Sequence, residues 1–514
     1  MKKSFFFMAA LLVAMTGCNK ELQQTTGNGL NPEDKVYMEF QIQTLTTRSS
    51  TDTGTNDKYV SSDADPSVEV GKDYENNISS VDVVLRSTNS FVSATVVNPT
   101  AGQDDGNYKT WVAQFESSQL ETGVPYEVYI YVNCSAKQDL NATSDASIST
   151  IADKTNKKFW MTSAYTPATK TFTEFSTDEN NPTDIGIHYV ERVMARFDYM
   201  PKGPYTLGGG VEVTLTEAAL INQSKAFYML RRVSADGTNA NWVVGGVEMP
   251  TNYVVDTDYA AKNNGYQTAD ASNFDYHMSA GASAWQWKTI TGLTEKDNWE
   301  GKDDGKTGAE GTNHTLNDYF IWQYAKENTI PGDSDNQQNG LSTGIVFKGK
   351  LSGDLVTAAN KAPIYVFENV LYGTWGQVVA AAGQSNASES LKFAVSVCNN
   401  KGQAKDAATL AAAGFTRYSA DAKGDYYTYY YYWNRHNDNA DNTSMGQMEF
   451  AVVRNNVYKL CVDSISKYGH PTPGGTDPDP DPVDPTDPDE EGEYYFKVTV
   501  KVLPWVVRVN HIEF

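Results

Sequence analysis

The sequence predicts an all-β protein of two or three domains. Tyrosine is abundant, and aromatic residues make up 12% of the 514 residues. Short runs of alternating apolar and polar residues recur between stretches rich in Gly, Asn, Asp and Pro, which is typical of strands joined by turns. Runs with a helical period are scarce, and the regular spacing of the strands favours β-sandwiches.

The chain begins with a targeting segment. Lys2 and Lys3 precede an apolar run over 5–15 that is too short to cross a bilayer. The residues MTGC at 15–18 follow, and they resemble the end of a bacterial lipoprotein signal, in which Cys18 becomes the lipidated first residue. The alternative interpretation is an ordinary secretory signal with a chance cysteine.

The first predicted strand covers residues 36–45, after a polar tether over 19–34. Its apolar residues alternate, as expected for a half-buried strand. The residues of this apolar face are Val36, Met38, Phe40 and Ile42. The polar loop that follows carries Arg48, which is either an ordinary solvated arginine or an accessible site for a trypsin-like protease.

Further strands follow on both sides of a weakly marked boundary near residue 225. The strands predicted before it cover 78–86, 91–97, 108–115, 126–134, 159–165, 185–200 and 211–223. The strands predicted after it cover 226–233, 344–352, 363–372, 391–398, 425–438 and 448–469. One short helix is predicted over 403–415, and the Gly/Asn/Asp-rich residues 251–316 are predicted to form loops and short elements.

The C-terminal tail combines a spacer with a strand. Asp-Pro repeats over 477–491 cannot pack into a domain, because proline fixes φ and removes a backbone donor. Residues 494–514 then alternate strongly, with a break at Pro504. The apolar residues of this tail are Phe496, Val498, Val500, Val502, Trp505, Val507 and Val509. A lone strand must pair either with its own domain or with another molecule, and its apolar face is similar to that of residues 36–45.

Few residues suggest chemistry. The formal net charge of −23 argues against nucleic-acid binding. The six histidines are scattered, and the cysteines after Cys18 lack metal-site or disulfide spacing, so neither a metal nor a cofactor is expected. A G-x-S-x-G match at 340–344 lacks the strand before it and the helix after it that a nucleophile elbow needs. Catalysis is therefore not expected.

The tyrosine-rich run over 426–432 allows two interpretations. It forms either an aromatic platform for a sugar or a strand whose two faces are both covered by neighbouring aromatic residues.

Several motifs resemble those of Bacteroidales fimbrillins. YVERVMAR at 189–196 resembles the E-R-x-V-A-[KR] strand of that family, and VRNNVY at 453–458 resembles its V-R-N-N-x-Y signature. A tyrosine-rich run ending in WNRHN at 433–437, and VTVKVLPW at 498–505 after the spacer, add to the resemblance. Their order is similar to that of the Mfa-type major subunits of short fimbriae, which are type V pilins.

The resemblance implies two transthyretin-like β-sandwich domains and a division of the chain into six parts. These parts are a lipoprotein signal (1–18), a propeptide with a removable first strand (19–48), an N-terminal sandwich (49–225), a C-terminal sandwich (226–469), an Asp/Pro-rich linker (470–493) and a donor strand (494–514).

The resemblance also implies a mechanism. A lipidated precursor reaches the outer membrane, and an arginine-specific protease cuts the bond between Arg48 and Ser49. The first strand then leaves, and the C-terminal strand of another copy fills its place. The product is a surface fimbria that supports adhesion and biofilm formation, with accessory anchor and tip subunits as further partners. The alternatives are a tip or anchor subunit and, from another class, a glycan-binding lipoprotein of the outer membrane.

Overall fold

The structure is a computed structural model. It describes residues 30–44, 71–88, 90–99, 109–164, 169–235, 237, 241–245, 253–257, 274–275, 285–297, 319–329, 342–436, 448–473 and 496–504. These residues are mostly in strands, which confirms the predicted all-β class. Among them, no helix is long and apolar enough to cross a membrane.

The strands up to residue 192 form the first lobe. They are β1 (Lys35–Thr44), β2 (Val81–Arg86), β3 (Phe91–Pro99), β4 (Lys109–Glu116), β5 (Pro125–Val132), β6 (Thr143–Ser144), β7 (Ala152–Asp153), β8 (Lys158–Phe159), β9 (Met161–Ser163), β10 (Lys170–Thr171) and β11 (Thr183–Arg192). Two single-turn helices accompany them, α1 (Asp73–Asn76) and α2 (Ile148–Ile151).

The main sheet of the first lobe closes on itself. Its strand order is β10-β5-β2-β3-β4-β1-β11-β9, and β9 also pairs with β5. The path of backbone pairing therefore returns to its start, and the strands within this ring have neighbours on both sides, as in other closed sheets. β1 is a member of the ring.

The remaining strands lie further along the chain. They are β12 (Met194–Met200), β13 (Tyr205–Leu207), β14 (Val211–Ile221), β15 (Gln223–Ser224), β16 (Phe227–Tyr228), β17 (Arg232–Ser234), β18 (Val243–Val244), β19 (Tyr253–Val254), β20 (Phe274–Asp275), β21 (Lys288–Thr289), β22 (Phe320–Lys326), β23 (Gly344–Ser352), β24 (Ile364–Phe367), β25 (Val370–Tyr372), β26 (Asn399–Asn400), β27 (Gln403–Ala404), β28 (Phe415–Tyr418), β29 (Tyr427–Trp433), β30 (Asn456–Ile465) and β31 (Phe496–Pro504).

Two of the sheets that these strands form make a sandwich, the second lobe. One has the order β22-β12-β30-β31, and the other has the order β13-β14-β23-β29 with β21 against β14. Apolar side chains from both sheets form one buried cluster, in which Phe197 stacks on Tyr458 with 5.0 Å between ring centroids. Alternation along each strand places one face of each sheet in this core.

A part-helical insertion separates β23 from β29. Its helices are α3 (Asp354–Ala358), α4 (Trp375–Ala382), α5 (Glu389–Cys398) and α6 (Ala407–Ala412). It has a hydrophobic cluster of its own, in which Trp375 packs edge-on against both Tyr365 and Phe415.

The structure corrects several sequence predictions. Residues 391–398, predicted as a strand, belong to α5, because Leu391, Ala394, Val395 and Cys398 recur at helical spacing and the Ser388 hydroxyl caps the Leu391 N–H at 3.2 Å. The stretch 363–372 is a hairpin rather than one strand, and 226–233 contributes only the short β16 and β17. The helix predicted over 403–415 is shorter and is α6.

The chain passes from the sheet of the first lobe to a sheet of the second lobe at Val193, before the boundary predicted near residue 225. The run over 185–200 is two strands, since β11 stays in the first lobe while β12 pairs with β22 and β30 of the second lobe. Alternation within a run does not reveal which sheet the run joins, so this switch at Val193 has no local signal. The six-part division of the chain remains a prediction.

The buried cysteines agree with their apolar contexts. Cys134, Cys398 and Cys461 are all buried and unpaired with one another. Burial raises the pKa of the Cys134 thiol to about 12, which keeps this group protonated at neutral pH. These residues pack as small hydrophobic side chains.

We predict that Phe40→Ala lowers the free energy of unfolding by about 3–5 kcal/mol, because it removes a fully buried ring from β1 and leaves a cavity. Gln41→Ala is the matched control, since Gln41 lies on the opposite, partly exposed face of the strand and its loss should cost about 0.5 kcal/mol or less. Urea denaturation measures both, and equal small losses would contradict the described packing.

Candidate strand-exchange site

Strand β1 lies in the interior of the closed sheet. On one side it pairs antiparallel with β4, from Lys35 opposite Glu116 to Ile42 opposite Lys109. On the other side it pairs parallel with β11, over Met38–Thr44. Both backbone edges of β1 are therefore occupied by strands of its own lobe.

The four apolar residues singled out in β1 point into the core of the first lobe. Val36, Met38 and Phe40 are fully buried, and Ile42 is 2% exposed. The residues between them are partly exposed, so the predicted alternation holds along the strand.

The start of β1 is fixed to the turn after β4. The Ser117 hydroxyl donates to the Asn31 carbonyl, and the Ser117 N–H donates to the Asp34 carbonyl at 3.0 Å. Lys35 forms an ion pair with Glu116 in the same region. The residues predicted for lipidation and cleavage, Cys18, Arg48 and Ser49, lie outside the described residues.

Strand β31 contains the first part of the predicted donor strand. It pairs antiparallel with β30, from Phe496 opposite Ile465 to Pro504 opposite Asn456. Among the described strands it lies at the edge of its sheet, where it pairs on one side with β30 of the second lobe. Trp505, Val507 and Val509 lie outside the described residues.

The two sequence motifs meet at the junction of the lobes. Asn455 of the VRNN motif has a positive φ of 58°, and its side-chain oxygen accepts from Nη1 of Arg192 at 3.1 Å. Arg192 belongs to the ERVMAR motif and also donates to the Glu75 carbonyl. Asn tolerates this left-handed backbone better than most residues, which suits it to the position.

Arg454 anchors the second motif to two other segments. Its guanidinium donates to Glu327 at 2.9 Å and to the backbone carbonyls of Tyr228 and Met229. The Arg454 side chain is completely buried, and the bonds of the rigid guanidinium fork satisfy its charge there.

A second buried network joins α1 to the second lobe. Arg196 donates to Glu75 at 2.8 Å and makes a bidentate pair with Asp198. Lys459 donates to Asp198 and also to Asp297. Burial raises the pKa of the Asp198 carboxyl, but the charges of Arg196 and Lys459 outweigh that effect and hold its pKa below the ordinary value.

Sequence reasoning missed the acidic partners in these networks. Glu75 lies 121 residues from Arg196, and Glu327 lies 127 residues from Arg454. The arginines belong to the two sequence motifs, but no local pattern in the sequence connects them to residues at such distances. Within the described ranges, no group of three or more His, Cys, Asp or Glu could hold a metal ion.

The G-x-S-x-G match does not form a nucleophile elbow. Ser342 is fully buried and lies two residues before Gly344, where β23 begins. The serine leads into a strand, whereas the elbow requires a helix after it.

A comparison with known protein families tests the resemblance to fimbrillins. The model of the major fimbrial subunit protein (type IV) fimbrillin C-terminal family matches residues 425–511, which include β29, the VRNN motif and the tail. The match covers the C-terminal part of the chain. The resemblance to fimbrillins predicted from the motifs is thus confirmed. A search of curated proteins finds no match.

Several solved structures are similar to this chain at low sequence identity. A fimbrilin from Porphyromonas gingivalis is 14% identical, with 93% of this chain and 99% of that chain covered and a TM-score of 0.36. A cell adhesion protein from Parabacteroides distasonis is 13% identical over 93% and 100%, with a TM-score of 0.39. The tip fimbrial protein Mfa3 from P. gingivalis, C-terminally truncated, is 10% identical over 85% and 98%, with a TM-score of 0.32.

We predict that Lys459→Met lowers the free energy of unfolding by about 3–5 kcal/mol, because it leaves Asp198 and Asp297 buried without this counter-charge. The control is Lys392→Met in an exposed pair with Glu389, which should change stability by about 0.5 kcal/mol or less. Urea denaturation compares the two, and similar effects would show that the network is not a stabilising feature.

A pH effect is expected beside β1. His188 lies opposite Ile42 in the ladder, and its ring meets Phe40 edge-on at 6.3 Å. Burial lowers the pKa of His188 to about 4, although the hydrogen bond to the Ile185 carbonyl opposes this. The ordinary value is about 6.5, so between these values the unfolded chain binds more protons and stability falls as pH falls.

We therefore predict that His188→Gln makes stability less dependent on pH between about 6.5 and 4. Urea denaturation at several pH values measures this for both proteins. Above pH 7 the His188 side chain is neutral in both states, so the difference between the two proteins should stay constant there. If the free energy of unfolding of both proteins fell by the same amount across the acidic range, the prediction would be wrong.

Proposed function

We propose that this chain is the stalk subunit of a surface fimbria and polymerises head to tail by strand exchange. The observation that carries the proposal is the interior position of β1. Removal of this one strand, with its buried apolar face, would leave a groove between β4 and β11 with two unpaired backbone edges. Such a groove takes an added strand through main-chain hydrogen bonds.

The groove would bind an apolar alternating strand strongly. The four side chains of β1 that now fill it give on the order of 6–12 kcal/mol of gross burial energy, at about 1.5–3 kcal/mol each. Each ladder hydrogen bond adds about 1 kcal/mol net. Ordering of a free tail opposes both contributions.

The tail is a suitable donor because it pairs with fewer strands in its present position than it would in the groove. β31 pairs with β30 on one side, whereas a strand in the groove pairs with both β4 and β11. Transfer of 496–504 would therefore gain a second ladder. Alternatively, β31 stays in place and the residues after Pro504 are donated. In both cases the Asp-Pro linker supplies reach, at about 3.1 Å per extended residue.

The trigger in this proposal is cleavage between Arg48 and Ser49 by an arginine-specific protease. The precursor is lipidated at Cys18 and held at the outer membrane until cleavage separates the chain from Ser49 onward from the lipidated segment that ends at Arg48. Accessory tip and anchor subunits then complete the fimbria, which supports adhesion and biofilm formation. No catalytic residue, cofactor or metal takes part.

We predict that Arg48→Ala blocks polymerisation, because the uncut first strand keeps the groove filled. Arg48→Lys keeps the charge and should block it too if the protease is specific for arginine. Arg86→Ala, on the partly exposed surface of β2, is the control that should polymerise normally. SDS-resistant ladders of surface protein are the measurement, and ladders from Arg48→Ala would show that this cleavage is not the trigger.

Tail deletions in the same assay locate the donor. Removal of 494–514 should leave folded monomers, and polymerisation of that variant would contradict a donor role for the tail. Ladders after removal of 505–514 alone would place the donor in 496–504, and their loss would show that the terminal residues are needed. N-terminal sequencing separates the roles, since Ser49 indicates a stalk subunit and a lipidated Cys18 indicates an anchor.

A further inference from the structure

The outer side of the second lobe carries a row of aromatic residues. Along β29, Tyr430 and Tyr432 point into the sandwich core. Tyr427, Tyr429 and Tyr431 lie on the opposite side of the sheet. Two tryptophans from the segment before β21 pack there as well. We name this surface the aromatic face, and its residues are Trp285, Trp287, Tyr427, Tyr429, Tyr431, Lys348 and Glu217.

The rings of the aromatic face pack against one another. Trp285 and Trp287 are stacked, with 5.2 Å between centroids and 11° between ring planes. Trp287 then meets Tyr429 at 5.7 Å. The two tryptophans, Tyr427 and Tyr431 are only partly buried, so each contributes ring surface to the exterior. These rings pack over a small buried cluster that includes Ile221, Val346, Trp433 and Phe450, and the Tyr431 hydroxyl donates to the Pro473 carbonyl.

The charges on this face are already paired with each other. Lys348 lies between the rings, with its Nζ atom 4.4 Å from the Tyr427 centroid and 2.6 Å from a Glu217 carboxylate oxygen. Lys350, opposite Tyr427 in the ladder, pairs with Asp425 at 2.8 Å. Partly exposed rings thus lie beside amine and carboxylate groups whose charges nearly cancel.

We propose that the aromatic face binds a neutral carbohydrate. The C–H surface of a pyranose ring packs on aromatic rings, which are large, rigid and apolar on their faces. Its neighbouring hydroxyls both donate and accept, so they suit an ammonium group beside a carboxylate.

Other occupants fit the aromatic face less well. An anionic ligand would compete with Glu217 and Asp425 for the lysines. A purely apolar partner would remove the paired charges from water without replacing those contacts. The face is built on β14, β23 and β29 rather than on β1, β4 and β11, so this binding is separate from strand exchange.

A glycan array tests the proposal on the full chain. The probes are neutral oligosaccharides, with sialylated and sulfated ones for comparison. Neutral glycans should bind, and both Trp287→Ala and Tyr427→Ala should weaken binding to the best array sugar by about tenfold or more. Phe393→Ala is the control, because this ring is 70% exposed on α5, outside the aromatic face. It should leave binding unchanged.

Two further measurements distinguish a loss of binding from a loss of folding. Thermal unfolding establishes whether each variant is folded, and the best neutral sugar should change tryptophan fluorescence in the unaltered chain. Absence of neutral binding, binding of charged glycans alone, or equal binding by all variants would overturn the proposal. Tighter binding of a synthetic peptide with the sequence of 477–491 than of any sugar would also overturn it and assign the face to the acidic linker.

Discussion

The structure depends on one constraint: a strand inside a sheet must have its backbone paired on both sides and its apolar face covered. β1 meets this constraint with β4, β11 and the core of the first lobe. Because the sheet closes into a ring, no other described strand can move over to replace β1 without breaking its own pairs. The place of β1 is therefore defined by its neighbours, and a different strand of similar pattern could occupy it.

The buried ion network explains how the first lobe could lose a strand and keep its shape. Glu75 in α1 lies in the first described segment after β1, and Arg196 and Tyr324 of the second lobe hold its carboxylate at 2.8 and 2.6 Å. A chain that lacked residues before 49 would still have this anchor near its new start. Breaking one member of such a network is costly, whereas the complete network satisfies its charges internally.

The sequence predicted local patterns well and long-range partners poorly. Alternation located β1 to within a residue or two, and it also located β14. The same rule failed at 391–398, where a short apolar run fits both periods and the Ser388 cap decided for a helix. Glu75, Glu327 and the partner of β31 could not be predicted, because contacts across a hundred or more residues leave no pattern in one chain.

In the proposed strand exchange, the positions of the two strands would give polymerisation a direction. A tail held along one edge has a single ladder to break, and that ladder can open from its end. A strand in the proposed groove would be held by two ladders and a buried face, so it would leave slowly. Since the proposed donor and acceptor surfaces differ, each subunit added would present a new tail and a new groove. Such a heterologous contact extends into a filament unless its rotation closes a ring.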